Sequence, residues 1–325
     1  MTFKTFLSQK KVENKKNAEI LDLLYSIQKS GFHIHKLLSY SYTENLNTHY
    51  EKNNMNTGNV YQEKQKNLHI LTNAIIRSNI NALNVKNVLL KDTNETLLNI
   101  NSDKKLIFVY EPLDNYDGFN SNMLRSTLFS CYCDHLDLEN NLDSINSQHT
   151  LVLSGYILYT SSINLIFCYE NQVYHFIYDE FINDYVCIND NVKMPKKGNI
   201  YCINEAKINQ CHKKHDLYLK KLKNEGYTSI YSGCLVADIH TLINNGGIYM
   251  NPNINNQSKI NVLYQAKPLA HIIECAGGLC VDEYRSIQFK KINSESETTP
   301  LYIGSKNNIN DMTHFCYFID KHQSE

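Results

Sequence analysis

The sequence predicts a layered α/β protein, because of its length, its hydrophobic content and the alternation of two kinds of segment. The chain has 325 residues and is 42% hydrophobic, which is enough for two domains or one large layered unit. Short apolar runs of strand-like composition alternate with segments whose apolar residues have helical spacing. Helices and strands mixed in this order bury their apolar faces against one another in stacked layers.

In the first half of the chain, helices are predicted to precede a series of strands. Residues 1–16 are polar and basic and are expected to form a mobile arm. Ile20, Leu23 and Ile27 lie at helical spacing, which predicts an amphipathic helix. A polar, Asn-rich stretch over residues 41–67 is expected to be a loop, and a further helix follows it. Strands are predicted over residues 85–90, 106–110, 128–132, 151–158, 164–169, 173–178 and 184–188.

The second half of the chain is predicted to mix helices and strands more evenly. Pro268 near the start and Gly277 past the end of one helical segment have the asymmetry typical of helix termini. Helices are predicted over residues 215–224, 233–243 and 268–275, and strands over residues 199–203, 248–250, 261–264 and 302–304.

Composition and charge argue against several classes of function. A net charge of -1 offers no basic surface for nucleic acid. The N-terminal segment is too polar for a signal peptide, and no apolar run is long enough to span a membrane. The ten cysteines form no CxxC motif or His/Cys ligand series, which predicts reduced thiols in a cytoplasmic protein. His69, His240 and His271 likewise have no neighbouring ligands in the sequence and are expected to be structural.

The strongest chemical signal is an acidic turn at the end of a predicted buried strand. Residues 106–110 are apolar or aromatic, and Glu111, Pro112, Leu113 and Asp114 follow them. Pro112 cannot donate to a strand ladder, so the strand is expected to stop or turn there. The two carboxylates can converge on one hard cation. The alternative is an acidic turn that only caps the strand.

This turn and several later motifs resemble the fructose-1,6-bisphosphatase family. Residues 110–117 read YEPLDNYD, where the family has FDPLDGSS. The strings GYILYTS from Gly155, VADIH from Val236 and GGIY from Gly246 stand in the family's order and spacing. The resemblance implies a stacked α/β/α/β/α sandwich, a homotetramer and magnesium-dependent hydrolysis of a sugar phosphate in gluconeogenesis.

The resemblance also implies where magnesium would bind, and this chain departs from the family there. Asp92, Glu111 and Asp114 remain acidic at metal-ligand positions, but Asp92 is shorter and Glu111 longer than the family residue. Thr93 and Gln265 replace two further metal-binding carboxylates. Ala74 replaces the family aspartate that polarises the attacking water.

These substitutions predict weak or absent magnesium binding and a catalytically impaired or inactive protein that serves as a scaffold or sugar-phosphate binder. Magnesium requires nearly ideal octahedral geometry, which carboxylates of altered length disturb. Loss of a catalytic base typically lowers the rate by about 10²–10⁴-fold. The alternative is a divergent but active magnesium-dependent fructose-1,6-bisphosphate 1-phosphatase, in which Asp114 and Asp92 are the catalytic residues.

The sugar-phosphate site of the family is better preserved than its metal site. Asn204, Tyr231, Lys259 and Tyr264 stand at positions that contact the 6-phosphate and sugar in the family. Alternatively, Lys259 is a solvated loop residue, and both tyrosines are core aromatics with satisfied hydroxyl groups. The family's AMP-binding threonines, tyrosine and arginine are missing, so AMP binding is not expected.

On this basis the chain divides into three parts. Residues 1–16 form the flexible arm, and residues 17–192 form an N-terminal half of regulatory type that carries the metal-site strand ends. Residues 193–325 form the C-terminal half, which is expected to bind sugar phosphate. A homo-oligomer is expected from the family likeness alone.

Overall fold

A computed structural model describes residues 1–40, 57–80, 85, 87–91, 105–115, 123–133 and 151–323. The α-helices of these ranges are α1 (Phe3–Glu13), α2 (Ala18–Tyr40), α3 (Thr57–Asn79), α4 (Lys213–Asn224), α5 (Leu235–Asn245), α6 (Lys267–Cys275) and α7 (Lys306–Gln323). The first seven strands are β1 (Asn87–Leu90), β2 (Leu106–Asp114), β3 (Arg125–Cys133), β4 (Leu151–Tyr159), β5 (Ile163–Tyr169), β6 (Gln172–Asp179) and β7 (Asp184–Asn189). The remaining strands are β8 (Ile200–Cys202), β9 (Thr228–Ser229), β10 (Ile248–Asn251), β11 (Ile260–Asn261), β12 (Leu279–Val281), β13 (Thr298–Thr299) and β14 (Leu301–Gly304).

Strands β1 to β7 form one sheet in which the strand order follows the chain. β1 is parallel to β2, and each later pair of neighbours is antiparallel. Successive side chains of a strand point to opposite faces, so this sheet contributes to two cores. Phe108, Phe129 and Phe167 pack on the face that α1 to α3 cover. Tyr156 and Ile166 pack on the other face, against α5 and α6.

The second sheet has the strand order β12-β14-β10-β8-β9 and also packs on both faces. Cys202 and Tyr249 face α5 and α6, whereas Tyr201 and Ile248 face α4 and α7. The helices α5 and α6 therefore form a middle layer between the two sheets. The five layers alternate as α/β/α/β/α, which confirms the predicted fold class.

The first helix occupies the region that was predicted to be a mobile arm. Phe3 is fully buried and Phe6 is 2% exposed. Their rings meet Phe167 and Phe176 of the large sheet at centroid distances between 5.2 and 6.2 Å. Three apolar residues at positions 3, 6 and 7 have helical spacing, and this signal was overlooked among the lysines.

Three further elements differ from the sequence-based predictions. Helix α3 begins at Thr57, inside the predicted loop over residues 41–67, whose residues 41–56 lie outside the described part. Helix α7 was not predicted. The predicted strand over residues 261–264 is shortened to β11, and a π-helical turn over Val262–Ala266 leads directly into α6. An apolar run such as this one does not by itself distinguish a strand from a buried helical segment.

Two sequence-based expectations concern membrane-spanning helices and disulfide bonds. In the part of the chain that the structure describes, no helix is both long and apolar enough to cross a membrane. All ten cysteines lie in the described ranges, and each is a free thiol.

Candidate active site

The candidate site begins where β1 ends beside the parallel strand β2. Leu90 pairs with Tyr110, so the residues that follow them, Lys91 and Glu111, emerge at the same edge of the sheet. The ammonium of Lys91 donates a hydrogen bond to Glu111 Oε1 at 2.5 Å. Only oxygen ligands were expected at this edge, and Lys91 was therefore missed. Its position directly after the predicted strand over residues 85–90 was the available signal.

The second carboxylate oxygen of Glu111 is also engaged. Gln265 Nε2 donates to Glu111 Oε2 at 3.0 Å. The π-helical turn fixes the amide, because Gln265 Oε1 accepts the backbone N–H of Asn261 at 3.0 Å. Both oxygens of Glu111 thus accept hydrogen bonds from nitrogen donors, one of them charged.

Burial makes this carboxylate difficult to ionise. Glu111 is only 3% exposed. Burial, assisted by the negative charge of Asp114, raises the pKa of Glu111 to about 7, although Lys91 and Gln265 oppose the shift. Glu111 consequently changes its protonation state close to neutral pH.

Asp114 lies at the end of β2 and contributes a second acidic group. Burial raises the pKa of Asp114, and the positive charge of Lys91 opposes this effect. Its Oδ2 is buried and has no hydrogen-bond partner among the described residues. A buried polar atom without a partner is costly, so Asp114 Oδ2 is a candidate contact for a cation or a polar ligand.

Neighbouring side chains hold the acidic turn in place. Thr127 Oγ1 donates to the carbonyl oxygen of Pro112 at 2.8 Å and also bonds to the Tyr159 hydroxyl. Tyr110 donates to Asn73 Oδ1 at 2.5 Å, which links β2 to α3. Ala74 is exposed on α3, directly after this contact. The strand does not stop at Pro112 as predicted, because β2 continues to Asp114 with a register shift against β3. The bonds above position Glu111 and Asp114 at this end of β2.

Among the described residues, nitrogen donors already engage one of the predicted magnesium ligands. Magnesium takes oxygen ligands, whereas both oxygens of Glu111 already bond to nitrogen donors. Gln265 serves as one of these donors and adds no negative charge. Asp92 and Thr93 lie outside the described residues, so their predicted roles at this edge stay predictions.

A second cleft brings together two of the predicted sugar-phosphate residues. Asn204 and Tyr231 line it beside Tyr249 and Asn251. Burial raises the pKa of Tyr231, and the hydrogen bond with Asn204 opposes the shift. Asp238, which is 1% exposed, accepts the backbone N–H of Ser232 and so holds the loop beside Tyr231.

Two lysines lie close together at this cleft. Lys207 contributes to its lining. The close approach of the Lys207 ammonium, which carries the same charge, lowers the pKa of Lys259. Two neighbouring ammonium groups favour binding of an anion, which relieves their mutual repulsion. Lys207 was missed because it belongs to none of the motifs that resemble the family.

Tyr264 does not belong to the lining of this cleft. It is 3% exposed and packs with Leu89, Val109 and Ile292 in a separate core cluster. Its hydroxyl donates to Glu295 Oε2 at 3.2 Å. This placement favours the alternative interpretation of Tyr264 as a core aromatic whose hydroxyl is satisfied.

Comparisons with known proteins converge on one family. Residues 1–190 match the family model described as Fructose-1-6-bisphosphatase, N-terminal domain, and residues 194–317 match its C-terminal domain. The class 1 fructose-1,6-bisphosphatase of Persephonella marina is 33% identical over 220 residues, which are 66% of this chain and 67% of that protein. The corresponding protein of Chlorobium chlorochromatii is 30% identical over 264 residues, or 77% of this chain and 79% of that protein.

A solved structure shows the same fold over almost the full chain. Leishmania major fructose-1,6-bisphosphatase in its T-state superposes with a TM-score of 0.84 at 22% identity. The match covers 97% of this chain and 98% of that chain. The predicted family resemblance is confirmed.

Proposed function

This chain belongs to the fructose-1,6-bisphosphatase family, and we propose that it binds a sugar phosphate but hydrolyses it very slowly or not at all. The observation that carries this proposal is the pair of nitrogen donors on Glu111. Lys91 and Gln265 satisfy both oxygens of a carboxylate that would otherwise be available to a metal ion.

The charge requirement of the reaction supports weakened hydrolysis. Metal ions offset the negative charge of a phosphate monoester and clamp its attacking and leaving oxygens. In this chain the fixed charge of Lys91 compensates Glu111, Thr93 and Gln265 are neutral, and Ala74 provides no base. Weak or absent magnesium binding and slow phosphate release follow from this composition.

The cleft at Asn204 and Tyr231 supports the binding part of the proposal. The ammonium groups of Lys207 and Lys259 provide charge for a phosphate, and Asn204 and Tyr231 provide polar contacts for the sugar or its ester oxygens. The cleft has no acidic residue in its lining among the described residues. The two ammonium groups therefore favour an anionic group over a neutral one, and the cleft, about 20 Å³ in volume, admits only part of a sugar phosphate.

A divergent but active magnesium-dependent fructose-1,6-bisphosphatase is the second candidate. The unpartnered Oδ2 of Asp114 favours it, because this atom is buried and lacks a compensating donor among the described residues. In this alternative, Asp114 and Asp92 hold the cation and are essential for catalysis.

Phosphate release distinguishes the two candidates. Fructose 1,6-bisphosphate is incubated with magnesium or manganese and either the natural protein or the variant Asp114→Asn. Impaired catalysis predicts equally low release from both proteins. The active alternative predicts release that Asp114→Asn abolishes. Asp216→Asn is the matched control, since Asp216 pairs with Lys220 on the surface of α4, and this change should leave release unaltered.

Sugar-phosphate binding needs its own measurement. Calorimetric titration with fructose 6-phosphate should show saturable binding that Lys207→Ala and Lys259→Ala each weaken by about tenfold or more, since bonds to charged groups contribute roughly 1.5–3 kcal/mol. Lys220→Ala, at an exposed lysine of α4, serves as the control. Equal affinity in all four proteins would contradict the proposed cleft.

Family likeness supports two further parts of the proposal. We expect a cytoplasmic homo-oligomer, and sedimentation velocity would measure its mass. We expect no response to AMP, because the cleft beside Asn17 and Ile20 carries the carboxylate of Glu170, which repels a phosphate. A titration with AMP in the same calorimeter tests this expectation.

A further inference from the structure

Two cysteines and a histidine converge away from the acidic turn, although they are distant in the sequence. One ligand atom from each of Cys168, His271 and Cys275 lies within 4.8 Å of the others. Cys168 belongs to β5 of the large sheet, whereas His271 and Cys275 stand four residues apart on one face of α6. The cluster therefore connects the large sheet to the middle helical layer.

The spacing of these atoms is close to that of a zinc site. Cys168 Sγ lies 3.9 Å from His271 Nε2. Tetrahedral zinc with Zn–S bonds near 2.3 Å and Zn–N bonds of about 2.0–2.1 Å places neighbouring ligand atoms about 3.5–3.8 Å apart. With all three atoms already within 4.8 Å, shifts of about 1 Å or less bring them to such distances.

A hydrogen bond orients the histidine ring toward the two sulfurs. Ser154 Oγ bonds to His271 Nδ1 at 2.8 Å, which leaves Nε2 directed at Cys168. Metal-binding histidines commonly engage their second nitrogen in this way, because the bond fixes the tautomer and the ring orientation. Both Cys168 and His271 are buried, so this arrangement is held by packing as well.

Solvent can reach this cluster from one side. Cys275 is half-buried, and a cleft of about 170 Å³ reaches His271. An ion can therefore approach from solvent.

We propose that Cys168, His271 and Cys275 bind Zn²⁺ through two sulfurs and one imidazole nitrogen, with a fourth position left for water. This site is independent of the acidic turn and of the proposed phosphatase chemistry. Two sulfurs and an imidazole select zinc over magnesium, which prefers oxygen ligands. A bound ion ties α6 to β5, and α6 continues directly from the π-helical turn that carries Gln265.

Cobalt titration of the full chain provides a direct test, because Co²⁺ reports on its ligands by absorption. The expected result is saturation at one equivalent with a thiolate-to-cobalt charge-transfer band, which added Zn²⁺ removes. Cys275→Ser and Cys168→Ser should abolish the band. Cys187→Ser, at another half-buried cysteine of β7, should retain it. Carboxylate sites cannot produce this band, so binding at the acidic turn does not mimic the result.

Alkylation provides a second measurement that requires no mutation. Zinc should protect Cys275 of the natural protein from iodoacetamide at least tenfold, as followed by mass spectrometry, while Cys187 reacts at an unchanged rate. The proposal is overturned by the absence of saturable cobalt binding, by a charge-transfer band that survives in Cys275→Ser, or by alkylation of Cys275 that zinc does not slow. A Cys168–Cys275 disulfide in the purified protein, with no cobalt binding after reduction, overturns it as well.

Discussion

Both oxygens of Glu111 accept hydrogen bonds, yet burial makes the ionised form of this side chain unfavourable. Lys91 and Gln265 satisfy its two oxygens, yet burial raises its pKa to about 7. In an unfolded chain, the pKa of this carboxyl returns to an ordinary value near 4.5. Between these two values the folded protein binds more protons than the unfolded chain, so the stability contribution of Glu111 is lost as the pH rises through 7.

This difference predicts a pH-dependent stability that Glu111→Gln removes. The free energy of unfolding of the natural protein should fall between pH 5 and pH 8, relative to the variant, by on the order of 1–3 kcal/mol. Urea unfolding at both pH values measures it. Glu274, whose pKa burial also raises to about 7, is present in both proteins, so its contribution cancels. Parallel pH profiles of the two proteins would show that Glu111 titrates normally.

Some residues of the candidate site could be identified from the sequence, and others could not. Glu111 and Asp114 were predicted because a proline ended an apolar run directly beside them. Lys91 was missed because its role depends on the parallel pairing of β1 with β2, which no local pattern encodes. The cluster of Cys168, His271 and Cys275 could not be predicted, since more than one hundred residues separate its first two members.

Helix α1 illustrates a similar limit for a whole element. Its lysines predicted a mobile arm, but Thr2 caps the helix and Phe3 and Phe6 pack under it. Helix α6 was predicted nearly to its ends, since Pro268 and Gly277 mark its boundaries locally. The π-helical turn before it was predicted as a strand, because its apolar residues fit either structure.

Truncation of a buried side chain tests the packing of α1. Phe3→Ala should lower the free energy of unfolding by about 3–5 kcal/mol, because Phe3 is fully buried and meets three aromatic rings of the sheet. Val12→Ala, at a residue of the same helix that is 78% exposed, should change it by less than about 0.5 kcal/mol. Thermal unfolding of both variants provides the comparison. Equal free energies of unfolding for Phe3→Ala and Val12→Ala would instead support the predicted mobile arm.

The whole molecule is held together by the middle layer between its two sheets. Leu128, Tyr156 and Ile166 of the large sheet share one core with helices α5 and α6 and with the inner face of the second sheet. The division at residues 192 and 193 follows the sequence pattern and stays a prediction. Neither part can complete this core alone, because each exposes an apolar sheet face or helix layer once the other is removed.

The shared core predicts that residues 193–325 do not fold alone. The isolated segment should lack tyrosine near-ultraviolet circular dichroism and a sharp thermal transition, whereas the full chain unfolds in one transition by both near- and far-ultraviolet signals. Mixing segments 1–192 and 193–325 should restore part of the tyrosine signal, because each supplies the apolar surface that the other lacks. A cooperative transition in isolated 193–325 would instead show that α5, α6 and the second sheet close a core without Leu128, Tyr156 and Ile166.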